Sequence, residues 1–157
     1  MKTAKPVLVV TALISLALLG VGLYLQHVQQ MAPCPLCIIQ RYAFAAVALI
    51  CLLFVIAPAA SRTGAVLGML AAIAGAGVAA RHLWIKANPT ISCGIDPLET
   101  SLNRFPSAEL MPFLFKADGF CTAEYPPILG LSIPQWALFW FVVLAIMLGA
   151  AAFRRRR

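Results

Sequence analysis

Acidic residues are scarce in this 157-residue chain: five stand against twelve lysines and arginines, and none occurs before position 96 or after position 124. Charged residues together make up 11% of the sequence, where a soluble domain carries about a quarter. That shortage, beside 62% hydrophobic residues, excludes an ordinary soluble domain and points to a membrane protein. The net charge of +7 does not make a nucleic-acid binder. Arg41, Arg81, Lys86, Arg104 and Lys116 are offset by Asp96, Glu99, Glu109, Asp118 and Glu124. The excess sits on Lys2, Lys5, Arg62 and Arg154 to Arg157. Positive charge confined to the chain ends and one short loop sets membrane topology and does not build a phosphate-binding face.

Other absences narrow the class further. No convincing small-residue cleavage site follows the first apolar stretch, which is too long for a signal-peptide core, so it reads as a retained anchor. The residues before Cys34 do not form a lipoprotein box, and no internal repeat is visible. What remains is a set of apolar runs. A helix needs about 20 apolar residues to cross the hydrocarbon layer. Four stretches qualify, at about 6–25, 38–57, 65–83 and 135–153. The expected fold is therefore an all-α, four-helix transmembrane bundle forming one domain. The positive-inside rule puts both termini and the 58–64 loop in the cytoplasm, and the loops at about 26–36 and 84–134 outside. Gly68, Gly75, Gly77 and neighbouring alanines suit close helix packing in lipid.

Five cysteines are unusual in so short a cytosolic protein. On this topology Cys34, Cys37, Cys93 and Cys121 share the oxidising face, and Cys51 lies mid-span as a small core residue. An even number of outward cysteines reads as two disulfides, which could be purely structural. A bridge between Cys34 and Cys37 closes so small a loop that it stabilises little, so it serves better as chemistry. Covalent haem attachment requires a histidine after the second cysteine, and position 38 is Ile. A zinc site is not expected, because Cys93 and Cys121 are 28 positions apart and form no second close pair. Redox exchange remains. Pro35 suits the first turn of a helix, which sets Cys34 near the N-cap, where the helix dipole favours a thiolate. Cys37 lies one turn deeper, where a lipid-soluble oxidant can reach it. Arg41, one further turn along, is a charge just inside the apolar layer, suited to an acceptor such as a quinone that gains negative charge. The sequence assigns Gln40 no role.

These residues match a known family. The chain resembles the DsbB family of bacterial inner-membrane thiol:quinone oxidoreductases in its four spans and in five motifs: "CPLC" followed by "IIQR", "ARHLW", "SCG" at Cys93, "GFCTAEY" at Cys121 and "LGLSIPQW". The resemblance implies a redox enzyme that reoxidises a soluble periplasmic DsbA-like dithiol oxidase and passes two electrons to a membrane quinone, ubiquinone or menaquinone. It implies that Cys93 forms the mixed disulfide with the partner, that Cys121 exchanges with Cys34, and that Cys37 delivers electrons to the quinone. Arg41 and His82 are then quinone-site residues, and Pro35 tunes the potential. No metal or nucleic acid is implied. Other readings are a membrane protein with structural outer disulfides, a DsbI-like relative with a dedicated partner, and a transporter of reducing power. The last lacks a partner for Cys51. The resting pairing stays open: 34–37 with 93–121, or 34–121.

In the long outer loop, seven prolines (Pro89, Pro97, Pro106, Pro112, Pro126, Pro127 and Pro134) break the chain into short pieces. Residues 107–117 carry Leu110, Met111, Phe113, Leu114 and Phe115, which suit either a segment lying on the membrane surface or a docking patch. Pro112 is expected to interrupt any continuous helix there.

Overall fold

In lipid a chain must satisfy its own backbone hydrogen bonds, and an apolar helix does so within one segment. The structure, a computed structural model describing residues 4–57, 60–88, 90 and 100–153, meets this requirement four times. Helices α1 (Ala4–His27), α2 (Pro35–Ile56) and α3 (Ser61–Ala87) are followed by two short helices, α4 (Pro106–Leu110) and α5 (Pro112–Phe115), and by α6 (Ile133–Phe153). The four long helices are each long and apolar enough to cross a membrane. No strand occurs among the described residues, so the chain is an all-α, multi-pass membrane protein. Cys93 lies outside the described residues, as do Lys2, Asp96, Glu99 and the RRRR tail.

The bundle is organised around α3, which packs most extensively against α6 and α2, while α1 leans on α2. The reason is the stripe Ala65, Gly68, Ala72, Gly75 and Ala79, spaced three and four residues apart and buried along one face. Without bulky side chains there, neighbouring helices approach closely, which is how helices associate where lipid removes the hydrophobic drive. Gly75 is the clearest case: a Cβ on it would run into the ring of Phe141 on α6. That ring stacks on Phe44 of α2, with centroids 3.9 Å apart and planes 9° from parallel. Cys51 is fully buried beside Gly68, in the same apolar cluster as Leu144 and Leu148.

At the end of the bundle bearing the long loop, the packing changes character. Pro112 does split the 107–117 segment, because its ring cannot continue the helix before it; it opens α5 after Met111. Phe115 turns inward and stacks on Tyr42 of α2, centroids 4.3 Å apart, in a second cluster with Ile38, Ala108 and Ala117. Leu110 and Phe113 face outward, 80% and 53% exposed. The last carbonyls of so short a helix have no partner within it. Two are met from the bundle: His27 Nε2 donates to Phe113 O at 3.0 Å, and Arg41 Nη1 to Leu114 O at 2.8 Å.

Candidate active site

The first turn of α2 makes the site. Cys34 is its N-cap with an extended backbone, and Pro35 occupies the first helical position, where a missing N–H costs nothing. The Cys34 sulfur accepts the backbone N–H of Cys37 at 3.3 Å, so a sulfur takes the role a hydroxyl usually plays at a cap. The two sulfurs are 3.0 Å apart, with Cys34 Sγ donating to Cys37 Sγ. Both are free thiols, as is Cys51. This amends the expectation for Cys34. The hydrogen bond given to Cys37, and then burial, push its thiol up, against two backbone N–H groups that favour the thiolate.

Around this pair lies a chain of polar groups in an otherwise apolar setting. His82, 3% exposed on α3, points Nε2 at the Cys34 sulfur (3.8 Å) and at the carbonyl of Cys121 (3.2 Å). Its Nδ1 faces the side-chain amide nitrogen of Gln40 at 3.3 Å. An amide N–H donating to Nδ1 leaves the ring proton on Nε2, where the carbonyl of Cys121 accepts it. Gln40, which the sequence left without a role, thus orients the histidine.

Arg41 is nine-tenths buried and has no carboxylate partner among the described residues, whose one ion pair joins Lys116 and Asp118. It is held instead by neutral oxygens: Gln26 Oε1 at 2.6 Å, Leu114 O at 2.8 Å and Gly22 O at 3.1 Å. These bonds occupy three of five guanidinium hydrogens and leave Nε–H and one Nη2 hydrogen. Arg41 and Cys37 border a cavity of about 390 Å³, together with Gln40, His82 and Cys34. Its other walls are mostly apolar, from Leu18, Leu19 and Leu25 of α1 to Trp136 and Trp140 of α6, with Lys86, Tyr125 and Ser132 adding polar groups.

The second loop is fastened onto the first by its backbone. The N–H groups of Asp118 and Gly119 both reach Pro33 O at 3.1 Å, and Tyr125 Oη donates to Ala32 O at 3.1 Å. Gly119 fits because it has no Cβ; one would meet the Ala32 carbonyl. Asn103 supports the same stretch, accepting from Ala117 N at 2.9 Å and donating to Ala117 O at 3.0 Å. Cys121 is thereby buried in one cluster with Cys34, and it is disulfide-bonded. The structure therefore brings together Cys34, Cys37, Arg41, His82 and Cys121, while Cys51 stays apart in the core. Gln26, Gln40 and Gly119 were missed by sequence reasoning. Gln40 and Arg41 occupy adjacent positions after a Cys-x-x-Cys pair, and that proximity was the available signal.

The chain matches the model of the family described as disulfide bond formation protein DsbB over residues 4–151. It is 63% identical to disulfide bond formation protein B of Herminiimonas arsenicoxydans over 157 residues, covering 99% of both chains. It is 46% identical to the protein of that name from Ralstonia nicotianae, over 93% of this chain and 92% of the relative. To disulfide bond formation protein B 1 of Pseudomonas savastanoi it is 45% identical, over 100% of this chain and 94% of the relative. Likeness of this extent, on a bundle that buries a paired thiol at one end, leaves one conclusion: the chain belongs to the DsbB family, and its chemistry is the oxidative making of disulfide bonds.

Proposed function

We propose that the protein reoxidises a soluble periplasmic DsbA-like dithiol oxidase and passes the two electrons to a membrane quinone, in the bacterial inner membrane. The observation that carries this reading is the apolar cavity on which Cys37 and Arg41 converge, with Cys34 linking it to Cys121. Its volume of about 390 Å³ lies within the range of ligand pockets. The donor set suits a quinone, because Arg41 offers two uncommitted N–H groups and no neighbouring carboxylate neutralises its charge. A bound quinone supplies a lipid-soluble two-electron acceptor. Cys37 and Arg41 would hold it, with His82 beside them.

The chain's own part is a relay of sulfurs. The thiol of the reduced partner attacks the disulfide of the second loop and forms a mixed disulfide at Cys93. The Cys121 thiolate so released attacks Cys34 in the oxidised first pair. The 34–121 bond forms, the 34–37 bond breaks, and Cys37 leaves as a thiolate. The partner's second thiol displaces Cys93, and the partner departs oxidised. The Cys93 thiolate then attacks Cys121, restores the loop disulfide and returns a reduced 34–37 pair. Arg41 lies one helical turn from Cys37, so its charge favours the leaving thiolate. The basic chain ends and Arg62 face the cytoplasm on this reading, so the cysteine end faces the periplasm.

A visible absorption spectrum of the purified protein with quinone added tests the acceptor. A charge-transfer band that is absent in Cys37→Ser supports the reading, and the same band in that variant overturns it. Labelling intact spheroplasts with an impermeant maleimide after reduction tests sidedness. Modification of position 93 or 121 from the inner face alone would reverse the topology.

A further inference from the structure

The Cys-x-x-Cys pair lacks a second close cysteine pair, but the fold provides a third soft donor from another helix. Cys34 Sγ, Cys37 Sγ and a ring nitrogen of His82 all lie within 4.8 Å of one another. Two sulfurs at about 2.3 Å and a nitrogen at about 2.0 Å from a tetrahedral centre stand roughly 3.5–3.8 Å apart. The observed separations of 3.0 Å (Cys34 to Cys37) and 3.8 Å (Cys34 to His82) are within about 1 Å of that geometry. Opening the pair to that spacing moves the Cys34 sulfur at the N-cap by under about 1 Å.

We propose that, when its two thiols are reduced, the Cys34–Cys37–His82 cluster binds a thiophilic metal ion of the zinc class, and that the bound ion keeps the pair from forming a disulfide. Binding releases the two thiol protons and transfers no electrons. Two thiolates and a divalent ion sum to zero charge, which suits a buried site in low dielectric. The fourth position is open to a water from the cavity that all three residues line, and the cavity is also the entry path. Gln40 supplies the outer support. Its amide now donates to His82 Nδ1; turned over, it accepts from Nδ1–H and leaves the Nε2 lone pair free for the metal. The consequence is a reversible arrest: a thiophilic ion in the outer compartment traps the enzyme reduced, and a chelator releases it. The site requires only the reduced pair, so it stands or falls independently of which acceptor takes the electrons.

The test uses the full chain in detergent, carrying Cys51→Ala, Cys93→Ser and Cys121→Ser so that position 34 and position 37 hold the only thiols, with Co²⁺ alone as the probe and no quinone added. The reduced protein should take up one Co²⁺ per chain, with tetrahedral ligand-field bands and thiolate-to-cobalt charge transfer. Oxidation of the pair, Cys34→Ser or Cys37→Ser should abolish these bands. His82→Ala should shift them and weaken binding at least tenfold. Gln40→Glu, which can only accept from Nδ1–H, should tighten binding about tenfold. Tightening is a response that loss of folding cannot mimic. Bands that persist without either cysteine, or that His82→Ala and Gln40→Glu leave unchanged, overturn the site.

Discussion

The two ends of the bundle handle buried polarity in opposite ways. At the cysteine end, Gln40, Arg41 and His82 are buried and every one has hydrogen-bonding partners. Towards the other end, Thr11 and Ser15, one turn apart on α1, are fully buried with hydroxyls that meet no partner among the described residues. Helix α2 carries a cysteine into each environment. Cys37 lines a cavity with a histidine and a guanidinium, whereas Cys51 is enclosed by Gly68, Leu144 and Leu148. The residue type is the same, so its chemistry is set by what the neighbouring helices bring. Burial alone pushes the thiol of an isolated cysteine away from the reactive thiolate. A partner sulfur, a helix start and a nearby cation make a site of it.

The largest effect should therefore come from exchanging the two environments' sulfurs for oxygen. Cys34→Ser or Cys37→Ser should reduce oxygen-coupled oxidation of a dithiol partner to background. Cys51→Ser should leave the rate within about twofold and change only stability, by leaving a hydroxyl in an apolar pocket at about 1–3 kcal/mol. Oxidation that survives Cys34→Ser would make the disulfides structural, and loss of activity in Cys51→Ala would erase the contrast between the two ends.

Arg41 should come next. Arg41→Ala removes the guanidinium from the cavity wall, leaving Lys86 as its other cation, and also strands Gln26 Oε1 and Leu114 O. Arg41→Lys keeps a charge but cannot reproduce a fork reaching α1 and α5 together. Steady-state rates against quinone concentration should fall at least tenfold for Arg41→Ala and by less for Arg41→Lys. The 34–37 disulfide should still form in both under a chemical oxidant. Equal activity of all three proteins would reduce Arg41 to a structural clamp.

Gly119→Ala should act more narrowly. The added methyl meets the Ala32 carbonyl, so the 118–121 backbone must lift from Pro33 and carry Cys121 away from Cys34. A several-fold drop in the yield of the 34–121 bridge, read by mass spectrometry of non-reduced digests, is expected, with the 34–37 bridge unaffected. An unchanged yield would mean that the fastening of the second loop does not govern exchange.

How much of this was legible in the sequence follows the same divide. The four apolar helices could be read because lipid demands long uninterrupted runs, a one-dimensional signal. The break at Pro112 was legible for an equally local reason, the ring's clash with the preceding turn. Cys34 as an N-cap followed from Pro35. By contrast, the contact of His82 with Gln40 and Cys34 joins residues more than forty positions apart, on two helices whose rotation no spacing rule fixes. The α3 helix gives no help, since its small residues run all round and leave it no distinct apolar face. Gly119 was hidden because a glycine in a loop has many reasons to be there, and only the proximity of Ala32 reveals this one.

The smallest effect should appear at the end without partners. Each unmet hydroxyl of Thr11 and Ser15 forgoes a hydrogen bond that unfolded chain would make, so replacing it by a group of the same shape removes a cost and creates no cavity. Thr11→Val and Ser15→Ala should be neutral or stabilising by up to about 1 kcal/mol each, seen as a small rise in the thermal midpoint in detergent. The matched experiment at the cysteine end has the opposite sign. Gln40→Leu is also close in size, but it leaves His82 Nδ1 without its donor, and should destabilise by about 1–3 kcal/mol. If the Thr11 and Gln40 substitutions shift the midpoint in the same direction, the unmet hydroxyls have partners of their own and the two ends do not differ in kind.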